Sequence, residues 1–379
     1  MAQYPLNILM ILRSPVGGLY RHVIDLSDEL GQRGHKVGII YDARNGDLQT
    51  KQRIETMQSK PALGVHQVSM PRLLGAGDFF ASLKIRALAK KLNAHILHGH
   101  GAKGGFNARI AKMITGGTVA VYTPHGGVLH YSPSGITGKI LYGIERFLTK
   151  KTNAIIFESA FAKLSFEQQI GGFSGLATIV HNGLAPDEFI ALPPKKESFD
   201  FAFVGEIRQL KGIHILLDAL VDVKRKDGLG ASLIIAGGGP DKEKIKQQII
   251  DLELSDRAEM VGVKPARAVF EQARAVIVPS LAESLPYVVL EAAAAQKPVI
   301  ATNVGGISEI FGPTSDALLP ANNVEALKNA MQNNILNPDV ANKEMQTRLE
   351  WVKETFSTEK MVNGIESVYQ NAIADQRNS

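Results

Sequence analysis

Short apolar runs alternate with amphipathic stretches along nearly the whole chain. Strand-like runs fall at Asn7–Leu12, Lys36–Tyr41, Ile96–His98, Val119–Thr123, Ala154–Phe157 and Thr178–His181. Between them lie helix-like stretches such as Tyr20–Gln32, Phe79–Leu92, Phe106–Met113 and Ser134–Lys151. The alternation resumes with strands expected at Phe201–Val204, Ser232–Ala236, Ala275–Val278 and Pro298–Ala301. This rhythm predicts an α/β fold with parallel sheets covered by helices on both faces. Gly183-Leu-Ala-Pro186 closes the first alternation, and a polar, proline-containing connector follows at Ala191–Ser198. The pattern therefore predicts two doubly wound domains, 1–185 and 186–355, and a terminal helical segment, 356–379. Ser357 suits the N-cap of that helix, with Glu359 as an acid in its first turn. Two such domains facing a central cleft would turn the carboxyl ends of both sheets toward a ligand.

Composition narrows the chemistry. The 379 residues are 45% hydrophobic and 21% charged, the balance of a globular chain with room for two domains. Cysteine is absent, which excludes disulfides, thiol nucleophiles and zinc–thiolate sites. The first apolar run, Leu6 to Leu12, is too short for a signal-peptide core or a membrane span. A cytoplasmic protein is expected, with contact to the inner face of a membrane as an option. Residues 1–185 carry 21 Lys and Arg against 10 Asp and Glu, so the net charge of +5 joins a basic first half to an acidic second half. A basic half suits anionic lipid, a phosphorylated substrate or nucleic acid. Ordinary scatter of surface charge gives the same count. Two basic amphipathic stretches, Ala81–Lys91 and Gly138–Lys151, can rest on anionic lipid or can simply present a solvated face. Aromatic and basic residues do not interleave along a groove, which disfavours nucleic acid.

Several loops after strands carry candidate chemistry. Gly17-Gly18 follows the first strand and precedes a helix expected near Tyr20, where glycine lets backbone amides approach a phosphate. A plain turn explains the pair equally well, and the G-x-G-x-x-G dinucleotide fingerprint is absent. His125, in Thr123-Pro-His-Gly-Gly127, sits where a strand end can present it to a ligand. His98-Gly-His100 invites a metal reading, but the neighbouring sequence offers too few further ligands, and a strand end is the simpler account. In Gly205-Glu-Ile-Arg208-Gln-Leu-Lys211-Gly212, the two cations can grip a diphosphate. Gly237, in Ile234–Pro240, and Val263, after Val261-Gly262, mark two further strand ends. Finally, Glu283 and Glu291 flank Pro286, so Glu283 falls in a loop whose Ser284 and Leu285 amides can face a phosphate. Glu291 falls about two turns along the following helix. Either glutamate alone is also explained as an acid near a helix N-terminus.

The whole stretch Pro279–Glu309, with two glutamates separated by seven residues, resembles the E-x7-E region of the family-4 retaining glycosyltransferases. Tyr122-Thr-Pro-His125 and Lys211-Gly212 also resemble that family's patterns, as do Gly237-Gly-Gly-Pro240 and the helix beginning after Gly17-Gly18. The resemblance covers nearly the whole chain and implies the GT-B class: two Rossmann-like domains, acceptor-binding then nucleotide-sugar-binding, with the last helix returning to the first. It implies that His125 reaches the transferring sugar, Lys211 and Arg208 the diphosphate, Glu283 the donor sugar and Glu291 the ribose hydroxyls. Gly17, Gly18, Gly205, Gly237, Val263, Ser284 and Leu285 complete the implied donor site. The chain departs from the family where Glu206 stands at the usual arginine position. The implied activity is a metal-independent, retaining transfer from a UDP- or GDP-sugar, without a cofactor, to a glycan or lipid-linked acceptor of lipopolysaccharide or exopolysaccharide synthesis. A nucleotide-sugar epimerase and a non-catalytic scaffold on the same fold are the rival readings.

Overall fold

A computed structural model describes residues 4–42, 44, 52, 54–71, 75–115, 117–130, 135–193, 195 and 198–378. Ser134 and part of the Ala191–Ser198 connector lie outside the described residues. The chain forms two compact units, 1–182 with 358–379, and 183–357.

The first unit holds β1 (Asn7–Leu12), α1 (Gly17–Gln32), β2 (Lys36–Tyr41), β3 (Val65–Gln67), α2 (Ala76–Lys91) and β4 (Ile96–His100). It continues with α3 (Gly101–Thr115), β5 (Val119–Thr123), α4 (Ile136–Thr149), β6 (Ala154–Phe157), α5 (Ala160–Gln169) and β7 (Leu176–Ile179). The strands form one parallel sheet in the order β3-β2-β1-β4-β5-β6-β7. Ile8 to Leu12 are all fully buried because helices cover both faces, which is why the strand reads as an unbroken apolar run. Strand order reverses between β1 and β4, so Gly17 and His100 both lie at the carboxyl end of the switch point.

Three expectations need correction here. Gly17 and Gly18 form the first turn of α1 and do not precede the helix. β4 runs on to His100, and α3 begins at Gly101, five residues before the expected start. Its glycines argue against a helix by propensity, yet Gly104 packs so close to β1 that a Cβ there would meet the Ile11 carbonyl. Tertiary contact overrides propensity at such a site. β3 escapes the sequence reading because three half-exposed residues carry no apolar run.

The second unit comprises β8 (Phe199–Val204), α6 (Ile213–Leu220), β9 (Leu233–Ala236), α7 (Lys242–Asp251), β10 (Ala258–Gly262) and α8 (Ala266–Phe270). After these come β11 (Ala273–Val278), α9 (Tyr287–Ala294), β12 (Val299–Ala301), α10 (Ile307–Phe311), α11 (Val324–Leu336) and α12 (Pro338–Thr355). Its parallel sheet has the order β10-β9-β8-β11-β12, with the reversal between β8 and β11.

Helix α13 (Thr358–Asn378) belongs to the first unit, although the whole second unit separates it in sequence. Met361, Val362, Ile365, Val368, Tyr369 and Ala372 form a buried stripe in the same core as Val23, Leu26 and Ile156. Burying six such side chains is worth on the order of 10 kcal/mol before entropy is charged. Polar contacts fix the register: Arg33 Nη1 donates to Glu366 Oε2 at 2.9 Å, and His35 Nε2 lies 2.8 Å from Glu366 Oε1. The sequence stretch Trp351–Tyr369 is divided, because Trp351 stays in the second unit and donates to the Glu309 carbonyl.

Candidate functional site

In the second unit, the loops leaving β8 and β11 meet at the switch point. Lys211 Nζ donates to both oxygens of Glu283, at 2.7 and 2.8 Å, and Ser280 Oγ donates to Glu283 Oε1 at 2.7 Å. Thr302 Oγ1 holds the Ser280 carbonyl at 2.6 Å, and Leu281 N donates to the Leu210 carbonyl at 2.9 Å. Two glycines make this approach possible. Gly212 takes φ +68°, and a Cβ there would run into the Pro279 carbonyl; Gly305 takes φ +62° against the Glu283 backbone. Both conformations are open to glycine and strained for other residues. The neighbouring strand ends are tied in sequence: Gly205 N donates to the Ala236 carbonyl at 3.0 Å, and Gly237 N to the Gly262 carbonyl at 2.8 Å. Asp241 accepts from Gln209 N at 2.8 Å and so holds the Arg208–Lys211 turn.

Glu283 therefore lies in a loop and Pro286 caps α9. Ser284 and Leu285 fall between them, and the Ser284 carbonyl accepts from Gly306 N at 2.6 Å. Glu291 is half-buried on α9, and Val263 is exposed just past β10. Both cations expected to grip a diphosphate already face carboxylates. Lys211 is held by Glu283, while exposed Arg208 lies 3.8 Å from Glu206. Sequence reasoning missed Ser280, Gly212, Gly305 and Asp241 as parts of this arrangement. Gly-rich strand ends were the available signal; the Ser280–Glu283 bond had none.

In the first unit, the strand-end loops gather four of the ten histidines in the chain. His125 follows β5 and takes φ +48°, a left-handed conformation costing about 1–2 kcal/mol. Its Nε2 lies 3.2 Å from His100 Nδ1. His22, one turn into α1, sits with its ring centre 5.0 Å from that of His125 and 5.5 Å from that of His100. The His98 ring centre lies 4.0 Å from that of His100, with the rings tilted, and His98 is held by the Tyr369 hydroxyl of α13 at 2.6 Å and Thr123 Oγ1 at 2.8 Å. Loss of hydration is the chief cause that pushes His22 and His125 down to about 3, and His98 and His100 well below the ordinary histidine value. All four rings are thus neutral near pH 7.

His98-Gly-His100 forms the end of β4, as the strand-end reading expects. Ligand-capable neighbours are absent nearby in sequence, but α1 and the loop after β5 bring His22 and His125 to His100. One ring nitrogen from each of the three lies within 4.8 Å of the other two. His98 is engaged through both of its ring nitrogens. Gly17 and Gly18, exposed at the start of α1, lie one turn before His22.

A family model described as "Glycosyl transferases group 1" matches residues 186–370, and one described as "Glycosyltransferase Family 4" matches residues 16–188. The glycogen synthase of Mycobacterium tuberculosis is 23% identical over 386 residues, covering 96% of this chain and 93% of the relative. The phosphatidylinositol N-acetylglucosaminyltransferase gpi3 subunit of Schizosaccharomyces pombe is 25% identical over 370 residues, covering 92% of this chain and 78% of the relative. Among solved structures, Anabaena Alr3699/HepE in complex with UDP and glucose matches with a TM-score of 0.79 at 18% identity, over 97% of this chain and 100% of that one. The two family models meet end to end from residue 16 to residue 370, and each half folds as a Rossmann-like parallel sheet of the GT-B class; the chain belongs to the group 1, family 4 glycosyltransferases.

Proposed function

We propose that this glycosyltransferase moves a hexosyl group, with retention, from a UDP- or GDP-sugar to a glycan or lipid-linked acceptor in cell-surface polysaccharide or lipopolysaccharide synthesis. The observation that carries the reading is the Lys211–Glu283–Ser280 contact at the switch point of the second unit, the place where an open parallel sheet takes its ligand. Breaking the bond between sugar and diphosphate leaves negative charge on the departing phosphate. Lys211, with Arg208 and the amides of Ser284 and Leu285, meets that charge as it develops. Once Lys211 turns to the phosphate, the Glu283 carboxylate is left to accept from hydroxyls of the donor sugar. Glu291, on α9, accepts from the ribose hydroxyls. Gly205, Gly237 and Val263 line the nucleoside side. The donor half of this reading calls on no metal, because cations and helix amides supply the compensating charge.

The first unit then takes the acceptor, while Gly17, Gly18 and His125, at the carboxyl edge of its sheet, keep the donor-side roles that the resemblance implies. Its excess of Lys and Arg supports an anionic acceptor, such as a phosphorylated glycan or a lipid-linked one. No helix among the described residues is long and apolar enough to cross a membrane, so a lipid-linked acceptor would be met at a surface. The test is release of nucleoside diphosphate from a panel of UDP-, GDP- and ADP-sugars, with and without a bacterial lipid and glycan extract. Release from one donor, raised by the extract, supports the proposal. Transfer to small soluble acceptors alone, unchanged by lipid vesicles, overturns the acceptor assignment.

A further inference from the structure

The histidine cluster of the first unit is more than a loop histidine facing a substrate. We propose that His22, His100 and His125 form a three-histidine site for a divalent transition-metal ion of the zinc class.

The argument starts from hydrogen bonds. His22 Nδ1 lies 3.0 Å from Asn182 Oδ1, and an amide oxygen can only accept, so Nδ1 carries the proton. The His22 lone pair is then on Nε2, which is buried and has no partner among the described residues. A desolvated ring nitrogen left without a partner costs roughly 1–3 kcal/mol, so this one calls for an explanation. A shared ion supplies one. Ligand-capable nitrogens of all three rings lie within 4.8 Å of one another. The 3.2 Å between His100 Nδ1 and His125 Nε2 is close to the spacing of two ligands on one tetrahedral ion, about 3.3 Å for metal–nitrogen bonds of 2.0–2.1 Å.

The donor set selects the metal. Three imidazoles without a carboxylate suit zinc, copper or nickel, and do not suit magnesium or calcium. The surroundings resemble a metal site's outer shell. Asn182 fixes the tautomer of His22. His98 lies against His100, its ring tilted by 37°, and is itself fixed by Tyr369 and Thr123. Three protein ligands leave a fourth position for a water or a substrate oxygen. His125 needs only one nitrogen for the ion, so its other nitrogen stays available to a substrate hydroxyl. The site therefore adds to the proposed function and does not depend on it.

The test uses the full-length, tag-free protein after dialysis against a chelator. Zn2+ alone is titrated in by calorimetry and equilibrium dialysis, and Co2+ alone is followed by its visible absorption. The expected result is one ion per chain, with the intense visible bands of four-coordinate Co2+. His22→Ala, His100→Ala and His125→Ala should each abolish the stoichiometric site, and Asn182→Leu should weaken it about 10–100-fold. His214→Ala, in the second unit, should leave the binding unchanged. Circular dichroism identifies any variant that fails to fold; the wild-type titration and Asn182→Leu then decide. Absence of stoichiometric uptake by the wild type overturns the proposal, and so does uptake that survives loss of any two of the three histidines.

Discussion

Replacing Glu283 by Gln should move nucleotide binding and turnover in opposite directions. In the resting second unit, Lys211 is held by both oxygens of Glu283 at 2.7 and 2.8 Å, and any diphosphate that recruits Lys211 has to break that pair. A charge-assisted contact of this kind is worth about 1.5–3 kcal/mol net. Gln keeps one acceptor oxygen but not the charge, so the competition should fall by roughly half, about 1–1.5 kcal/mol. That corresponds to nucleoside diphosphate binding up to about tenfold tighter. Turnover should fall on the order of 100–1000-fold, because a carboxylate contact to the donor sugar strengthens as positive charge develops on the sugar during transfer. Lys211→Ala should weaken the same diphosphate about tenfold or more and slow turnover as well. Calorimetry with UDP, GDP and ADP identifies the ligand, and a coupled diphosphate-release assay reads turnover on the same preparations. If Glu283→Gln weakens diphosphate binding as much as Lys211→Ala does, the carboxylate positions Lys211 and does not compete for it. If turnover stays at the wild-type level, Glu283 does not touch the sugar.

Three further outcomes follow from the geometry. Arg208, exposed and 3.8 Å from Glu206, should contribute less than Lys211, so Arg208→Ala should weaken diphosphate binding only about two- to fivefold, and Glu206→Gln should tighten it slightly; calorimetry reads both. Gly212→Ala forces a side chain at φ +68° into the Pro279 carbonyl, and should cost about 2–4 kcal/mol in urea unfolding along with loss of diphosphate binding. Lys297 is buried, donates to the Ala273 carbonyl at 2.7 Å, and is pushed down to about 8, mainly by burial. Because its folded value is depressed, the folded state holds fewer protons between about pH 8 and the ordinary lysine range, so stability should rise with pH across that window. Near neutrality the buried charge costs up to about 3 kcal/mol. Lys297→Met should therefore gain about 1–2 kcal/mol at pH 7 after loss of the bond to Ala273, and the gain should vanish near pH 10; urea melts at both values check it.

The alternation of apolar runs located β1, β2, β5 and β6 at their observed bounds, because parallel strands buried on both faces leave a contiguous signal that a single sequence retains. Glu283, Pro286 and Glu291 were legible for a similar reason: their chemistry is local to one loop and one helix. β3 was not, since its three residues gain their strand character from Tyr41 and its neighbours in β2. The start of α3 was misread because its glycines answer to close contact with β1 rather than to helix propensity.

The sequence by itself determined the α/β rhythm, the two-sheet plan and the glycosyltransferase family, since each is written in short-range pattern. The tertiary structure alone decided which groups meet. Lys211 and Glu283 are 72 positions apart, and His22 and Asn182 are 160. Nothing in local propensity links such pairs; strand order at the second unit's switch point joins the first, and packing of α1 against the chain beyond β7 joins the second. The return of α13 to the first unit was implied by the family resemblance, but its register is set in space, by a stripe of buried side chains and Glu366. The fold also brings His22 and His125 to His100 as a three-histidine cluster, because ligand geometry is a property of space and not of spacing in sequence.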